Sequence, residues 1–212
     1  MTDATKDDLM EATYRALCKH GYAELTMQDI AAESTKSKGT LHYHFDGKRD
    51  LLESFLEYLL TQFEERTETV PGGTPAERLH EFLEELLTPS DEDSAEEFRM
   101  AMLEIKAQAP YNEAYREQLD EFDRALHDRI AELVADGIEA GQLREGVDPD
   151  EIADFLVTVF HGAQTRAVAV DRSPARTKEF FHEYIDETLR VDGERDGAPS
   201  STGEMDGSEA DR

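Results

Sequence analysis

Apolar residues recur along this chain at intervals of three and four, the spacing of helices that bury one face. No stretch alternates apolar and polar residues as a half-buried strand would. Helix one is predicted over about 5–20, with Leu9, Ala12, Thr13, Ala16 and Leu17 on one face. Gly21 is placed to end it, because glycine tolerates the left-handed backbone that follows a helix. Thr26, with Asp29 three residues on, has capping-box spacing for helix two, and Leu25 and Ile30 occupy the positions of a hydrophobic staple. A tight polar turn at 33–36 leads to a short third helix, about 37–44. Asp46 or Gly47 opens a fourth that carries Leu51, Leu52, Phe55, Leu56, Leu59 and Phe63.

Pro71-Gly72-Gly73-Thr74-Pro75 is a strong loop signal. Beyond it the spacing predicts helices over about 75–87 and 95–107, then from Pro110 to near Gly141, from Asp148-Pro149, and from Pro174 or Ala175 to about Leu189. Helix six places Phe98, Met100, Ala101, Met102, Leu103 and Ile105 around most of its circumference, as a central helix does. The fold class is therefore all-α with nine helices. Residues 1–50 form an N-terminal three-helix unit, 51–190 a larger C-terminal one, and 191–212 an acidic tail with almost nothing to bury, expected to be disordered.

Charge changes the picture. Among 212 residues, 50 acids face 22 bases, a net charge of −28, and the bases are 7 Lys and 15 Arg. Excess carboxylate with little Lys is the composition of a halophile's cytosolic protein, in which salt screens self-repulsion; an acidic interaction surface is the alternative. No apolar run approaches the roughly 20 residues of a membrane span, and the N-terminus lacks the pattern of a signal peptide. A soluble, cytoplasmic protein without a membrane partner is expected. Cys18 stands alone, so no disulfide framework or multi-cysteine metal site is available, and core filler is its expected role.

The charge is uneven: net −2 over 1–50, −21 over 51–190 and −5 over 191–212. Within the first segment, Ser34 to Arg49 holds Lys36, Lys38, Lys48 and Arg49 against Asp46 alone, a net of +3. A positive island on so negative a chain points to an anionic partner. Two helices joined by a tight turn there make a helix-turn-helix. Its reading helix needs small, polar or basic residues in the first turn, so that the backbone can enter the major groove. Ser37-Lys38-Gly39-Thr40 supplies them, Tyr43 and His44 suit the phosphate rim, and Lys48 adds charge at the positive end of the next helix.

Gly21-Tyr22, Thr26-Met27-Gln28-Asp29-Ile30-Ala31, Ser37-Lys38-Gly39-Thr40-Leu41, Tyr43-His44-Phe45 and Lys48 resemble the DNA-binding domain of TetR-type repressors. The resemblance implies a ligand-responsive, DNA-binding transcriptional repressor that leaves its double-stranded operator when a small-molecule inducer binds. It implies a homodimer, with the inducer pocket and dimer interface in the C-terminal domain. By position, Thr26 would cap helix two and touch a phosphate. Ser37, Lys38, Gly39 and Thr40 would reach bases or backbone, and Tyr43, His44 and Lys48 would hold phosphates. Leu41 and Phe45 would pack the reading helix onto Ile30. The sequence departs from the family at the turn, where Thr35 replaces a glycine and Lys36 an inward apolar residue, which brings Lys36 toward the DNA.

Phe98, Met102, Ile105, Phe122, Leu126, Phe155 and His161 are candidate pocket residues, with Arg166 an anchor for an anionic ligand. Methionine-bearing walls adapt to varied ligands. Phe155, Val159, Phe160, Phe181 and Ile185 give helices eight and nine wide apolar faces, suited to a dimer interface, and Gly162 and Ala163 permit close helix approach. His42 and His44, two apart on a helix, do not face each other as metal ligands must. Glu179-Phe180-Phe181-His182 lacks the second copy that a di-metal bundle needs. No catalytic constellation, metal site or cofactor motif is present in the sequence, which argues against an enzyme. The competing function class is an acidic helical interaction protein with a vestigial helix-turn-helix, which would have no reason to keep the positive island.

Overall fold

The computed structural model of the protein describes residues 3–68, 73–88 and 94–191. Nine α-helices occupy them: α1 Asp3–Glu24, α2 Met27–Glu33, α3 Lys38–His44, α4 Lys48–Glu68, α5 Pro75–Leu87, α6 Ala95–Gln108, α7 Glu113–Glu139, α8 Pro149–Val170 and α9 Ala175–Tyr184. A 3-10 turn, Ala109–Tyr111, precedes α7, and a π turn, Ile185–Leu189, ends α9. The expected disordered tail lies outside the described residues from 192 onward.

Local chemistry sets the helix ends. Gly21 adopts φ 66, ψ 171 and kinks α1 three residues before its end. Thr26 and Asp29 form the expected capping box, and Thr74 and Glu77 form a second one ahead of Pro75. Asp148 caps α8 by accepting from the N–H groups of Asp150 and Glu151, and Gly141, at φ 70, follows the end of α7.

Two apolar clusters result. The first joins Leu9, Met10, Leu17, Leu25, Ile30, Leu41, Phe45, Leu51, Leu52 and Phe55 to Ala101 and Ile105 of α6 and Tyr115 of α7. The second joins Phe63 of α4 to α5, α7, α8 and α9 through Phe82, Leu126, Leu133, Leu156, Phe181 and Leu189. Each buried leucine or phenylalanine contributes about 1.5–3 kcal/mol by leaving water. Helix α4 thus belongs to both clusters, its first half to one and Phe63 to the other.

Helix α6 is less enclosed than its apolar circumference predicts. Met100 is exposed, while Phe98, Met102 and Leu103 are only half-buried. Phe98, Met102 and Leu103 border the empty space of a cavity.

Candidate functional site

The first candidate site is the exposed side of α3. Ser37 caps this helix, its Oγ accepting from Thr40 N–H at 3.2 Å and lying 3.0 Å from Thr40 Oγ1. Leu41 and Phe45 are buried against Ile30, as expected. The opposite face then has to point outward: Ser37, Lys38 and Gly39 are exposed, and Tyr43 is 84% exposed. A Cβ at Gly39 would have only Ser37 Oγ, at 3.6 Å, within 4 Å outside its own helix backbone, so the helix start can come close to another surface. His44 is half-buried with its ring 4.9 Å from that of Tyr43, and Thr26 is exposed at the start of α2.

Polar bonds hold the turn that departs from the family pattern. Asp8 of α1 accepts from Ser34 Oγ at 2.5 Å, from Thr35 Oγ1 at 2.7 Å and from Thr35 N–H at 3.4 Å, and Ser34 Oγ accepts from Lys36 N–H at 2.9 Å. These bonds keep the Asp8 carboxyl below its ordinary pKa. A carboxylate clamp therefore does here what an inward apolar residue would do, which leaves Lys36 half-buried rather than in the core.

Lys48 is engaged within the chain. Its ammonium donates to Tyr22 O at 2.8 Å and Ala23 O at 3.5 Å and sits 4.6 Å above the Tyr22 ring. Partial burial lowers its pKa, against the pull of Glu104 and Glu24. A lysine that caps the last carbonyls of α1 steadies the junction, and must leave these partners to hold a phosphate.

The second candidate site is a cavity of about 840 Å³ bounded by α1, α4, α5, α6, α7 and α8, within the roughly 300–1,000 Å³ range of small-molecule pockets. Of the residues singled out from the sequence, Phe98, Met102, Phe122 and His161 line it. Four other predictions need correction. Ile105 and Leu126 are fully buried in the two clusters, because they lie on the sides of α6 and α7 away from the cavity. Phe155 is 41% exposed on the outside of α8. Arg166, eleven residues further along α8, borders a separate recess of about 530 Å³ with Arg172 and Arg176.

Polar groups that the spacing did not reveal stand beside His161 in the cavity wall. Lys106 Nζ lies 3.4 Å from His161 Nδ1, and His161 Nε2 lies 2.7 Å from Asp123 Oδ1. An ammonium can only donate, so Nδ1 accepts and Nε2 carries its proton toward Asp123. Burial holds Lys106 below its ordinary pKa; burial and then the charge of Lys106 hold His161 below its own. Gln118 and Gln164 also line the cavity, each with a buried side-chain oxygen that has no partner. Such an atom costs about 1–3 kcal/mol unless a ligand or water meets it. A lysine within the apolar stripe of helix six was the one available signal; Asp123 and the two glutamines gave none.

Helix α1 also reaches the cavity. Tyr14 lines it, with its ring 4.8 Å from that of Phe98 and its hydroxyl 3.2 Å from Ser94 Oγ. On another side of α6, Glu104 accepts from Tyr22 N–H at 2.7 Å, directly after the Gly21 kink. At the start of α4, Arg49 donates to Asn112 Oδ1 at 2.8 Å, and Tyr115 OH to Arg49 O at 3.4 Å. The cavity and α3 are thus joined through α1, α4 and α6.

The expected dimer face needs a second correction. Phe181 is 1% exposed and Ile185 fully buried, because α9 packs them inward against α5 and α8, and Phe160 is buried beside the cavity. Outside lie Phe155 and Phe180 with half-buried Tyr184: rings 6.4 Å apart for Phe155 and Phe180, 5.3 Å for Phe155 and Tyr184, and 5.9 Å for Phe180 and Tyr184. Val159 is half-buried next to them, and Gly162 meets nothing within 4 Å of a Cβ position. Cys18 is half-buried, its thiol 3.9 Å from Ser94 O. Among the described residues no cluster can hold a metal ion, and no helix is long and apolar enough to cross a membrane.

Comparison with known proteins agrees with this geometry. Residues 9–55 match the bacterial regulatory proteins of the tetR family, and residues 75–190 match the BetI-type transcriptional repressor C-terminal family. A TetR transcription regulator from Haloarcula marismortui ATCC 43049 is 36% identical, with a TM-score of 0.81 over 89% of this chain and 100% of that one. The HTH-type transcriptional repressor AcnR of Corynebacterium diphtheriae is 24% identical over 161 residues, 76% of this chain and 80% of that protein. A regulator from Saccharomonospora viridis, solved in complex with choline, shares the fold at 22% identity and a TM-score of 0.76, covering 90% of this chain and 100% of that one.

Proposed function

The chain belongs to the TetR family of DNA-binding transcriptional regulators, which are not enzymes, and on that premise we propose how its two sites work together. The exposed start of α3 enters the major groove of the operator. Lys38, Gly39 and Thr40 meet base edges or backbone; Thr26, Lys36, Ser37, Tyr43 and His44 meet phosphates, joined by Lys48 when it leaves the α1 carbonyls. Residues 1–50 are the DNA-binding unit and 51–190 the ligand-binding and dimerising one.

The inducer occupies the cavity. The choline complex of the Saccharomonospora regulator supports a small organic molecule as the class of ligand. Helix α6 is the observation that carries this reading. Phe98, Met102 and Lys106 face the cavity, while Glu104 holds the Tyr22 backbone and Ala101 and Ile105 pack against the N-terminal cluster. A ligand that displaces α6 therefore moves α1, and with it the angle at which α3 is presented. Two copies associate through Phe155, Val159, Phe180 and Tyr184, which sets the spacing of two reading helices on a palindromic site. The chain works in a halophile's cytoplasm, a setting that its acidity and its likeness to the Haloarcula regulator support.

Filling the cavity tests the coupling without knowledge of the inducer. Met102→Trp is expected to lower operator affinity about tenfold, a coupling of ordinary size, with helix content unchanged by circular dichroism. Unchanged affinity with a filled cavity, checked by crystallography, would overturn the proposed route.

A further inference from the structure

The cavity wall carries an unbalanced charge. Of its carboxylates, Glu85 is bridged to Arg66 at 2.9 Å and Asp120 to Arg124, while Asp123 accepts from the neutral His161 ring at 2.7 Å and keeps its charge. Its arginine Arg116 is bridged to Glu113 at 3.3 Å. Two cations remain, Arg99 and Lys106, and among the described residues neither makes an ion pair with a carboxylate. They are seven residues apart on α6, two turns along one face, with Met102 between them. Both are half-buried, and Lys106 lies against a neutral histidine ring.

Lys106 reaches the Asp123 charge only through the His161 ring, so with Arg99 the wall keeps one positive charge in excess, and an ammonium without a direct anionic partner there is costly. A quaternary ammonium ligand would find rings in this wall, among them Tyr14, Phe98 and Phe122, but it would have to sit beside the like charges of Arg99 and Lys106. This imbalance stands on a chain of net charge −28, so it is local to the wall. We infer that the effector of this cavity is an amphipathic anion, its carboxylate-like head on Arg99 and Lys106 and its apolar body along the cavity's leucine and phenylalanine wall. The inference rests on the cavity being the effector site, and it names the chemistry of what enters.

Calorimetric titration of the full chain in about 1 M KCl, where a Debye length of about 3 Å leaves only close charges effective, uses three probes of equal chain length. These are octanoate, octan-1-ol and octyltrimethylammonium. Octanoate is expected to bind at least about tenfold tighter than octyltrimethylammonium, as a charge-assisted contact requires. Lys106→Met should weaken octanoate about tenfold and leave octan-1-ol unchanged; Lys106→Arg should restore much of the loss, and Arg99→Gln should give a smaller one. Octyltrimethylammonium binding as tightly as octanoate, no octanoate binding, or octanoate binding indifferent to both α6 variants would each overturn the inference. Operator release is read in a separate titration. Octanoate that binds through Lys106 without releasing DNA keeps the ligand chemistry and refutes the effector role. Release by octyltrimethylammonium alone keeps the effector role and refutes the charge assignment.

Discussion

Asp8 shows how one side chain can replace a family's usual device. The turn between α2 and α3 has neither its glycine nor its inward apolar residue, yet three hydrogen bonds from Ser34 and Thr35 to one carboxylate hold it to α1. Asp8→Ala is expected to cost about 1 kcal/mol, below the roughly 1.5–3 kcal/mol of bonds to a charged acceptor because the site is open to water. Its folded pKa lies below the ordinary 3.8. Its contribution is therefore present above that value and lost as pH falls through the lower folded one. Thermal melts of the variant at neutral pH, with no loss of stability, would contradict this role. The start of α3 was legible in the sequence because its cap, its small residues and its cations are consecutive. The clamp was not, because Asp8 is 26 residues away and looks like any exposed helix acid. The partners of Lys48 in the free chain were hidden for the same reason: the carbonyls of Tyr22 and Ala23 carry no side-chain signature.

At the scale of elements, helix limits were read closely, because caps and prolines act locally. α5 begins and ends where periodicity placed it, and α8 begins at the Asp148-Pro149 pair. Which side of a helix is covered was less legible. Periodicity marked both Phe180 and Phe181 as apolar, but packing on α5 and α8 buries only Phe181. Gly137 is another tertiary requirement: a Cβ there would lie 2.6 Å from Leu143 Cδ1, in the core between α7 and the loop after it. Gly137→Ala is expected to destabilise by about 1–3 kcal/mol through overpacking, lowering Tm by several degrees, at roughly 2–4 °C per kcal/mol for a chain of this size. An unchanged Tm would show that Leu143 yields freely.

The α5–α9 contact should also respond to acid. His80 Nδ1 lies 2.7 Å from His182 Nδ1, and His80 Nε2 lies 3.1 Å from Asp186; Glu84, Lys178 and Arg190 complete the surroundings. With Nε2–H donated to Asp186, Nδ1 accepts from His182, so protonating His80 would set two donors face to face. Burial accordingly holds His80 below its ordinary 6.5. A depressed histidine pKa stabilises the fold above the unfolded value, and that contribution declines as pH falls from about 6.5 toward the folded value. His80→Gln is expected to flatten the decline of Tm between about pH 7 and pH 5. A wild-type slope retained in the variant would remove His80 as its source.

The whole molecule combines a net charge of −28 with an exposed aromatic patch and a small positive island. Phe155→Asp or Phe180→Asp should convert a dimer to monomers by light scattering. Phe160→Asp, which the apolar pattern alone would suggest for that test, should instead disturb the core beside the cavity. A wild-type chain that stays monomeric at micromolar concentration in high salt would contradict the interface. DNA binding itself faces opposed electrostatic effects. Neutralising each phosphate makes affinity fall by about 0.9 log units per log unit of salt, while salt also screens the acidic bulk from DNA. At about 0.01 M the Debye length of about 30 Å lets that bulk dominate, whereas at about 1 M only close charges count.

Operator affinity measured by anisotropy of a labelled fragment of the chain's own promoter, from about 0.05 M to about 3 M KCl, tests the reading of DNA by α3 most directly. The wild type is expected to bind specifically, with greatest affinity at high salt. Lys38→Ala and Thr40→Ala should each lose about tenfold, the scale of one base or backbone contact, with unaltered circular dichroism and dimerisation. Equal affinity of both variants and wild type, or no specific binding by a folded dimer at any salt, would contradict it.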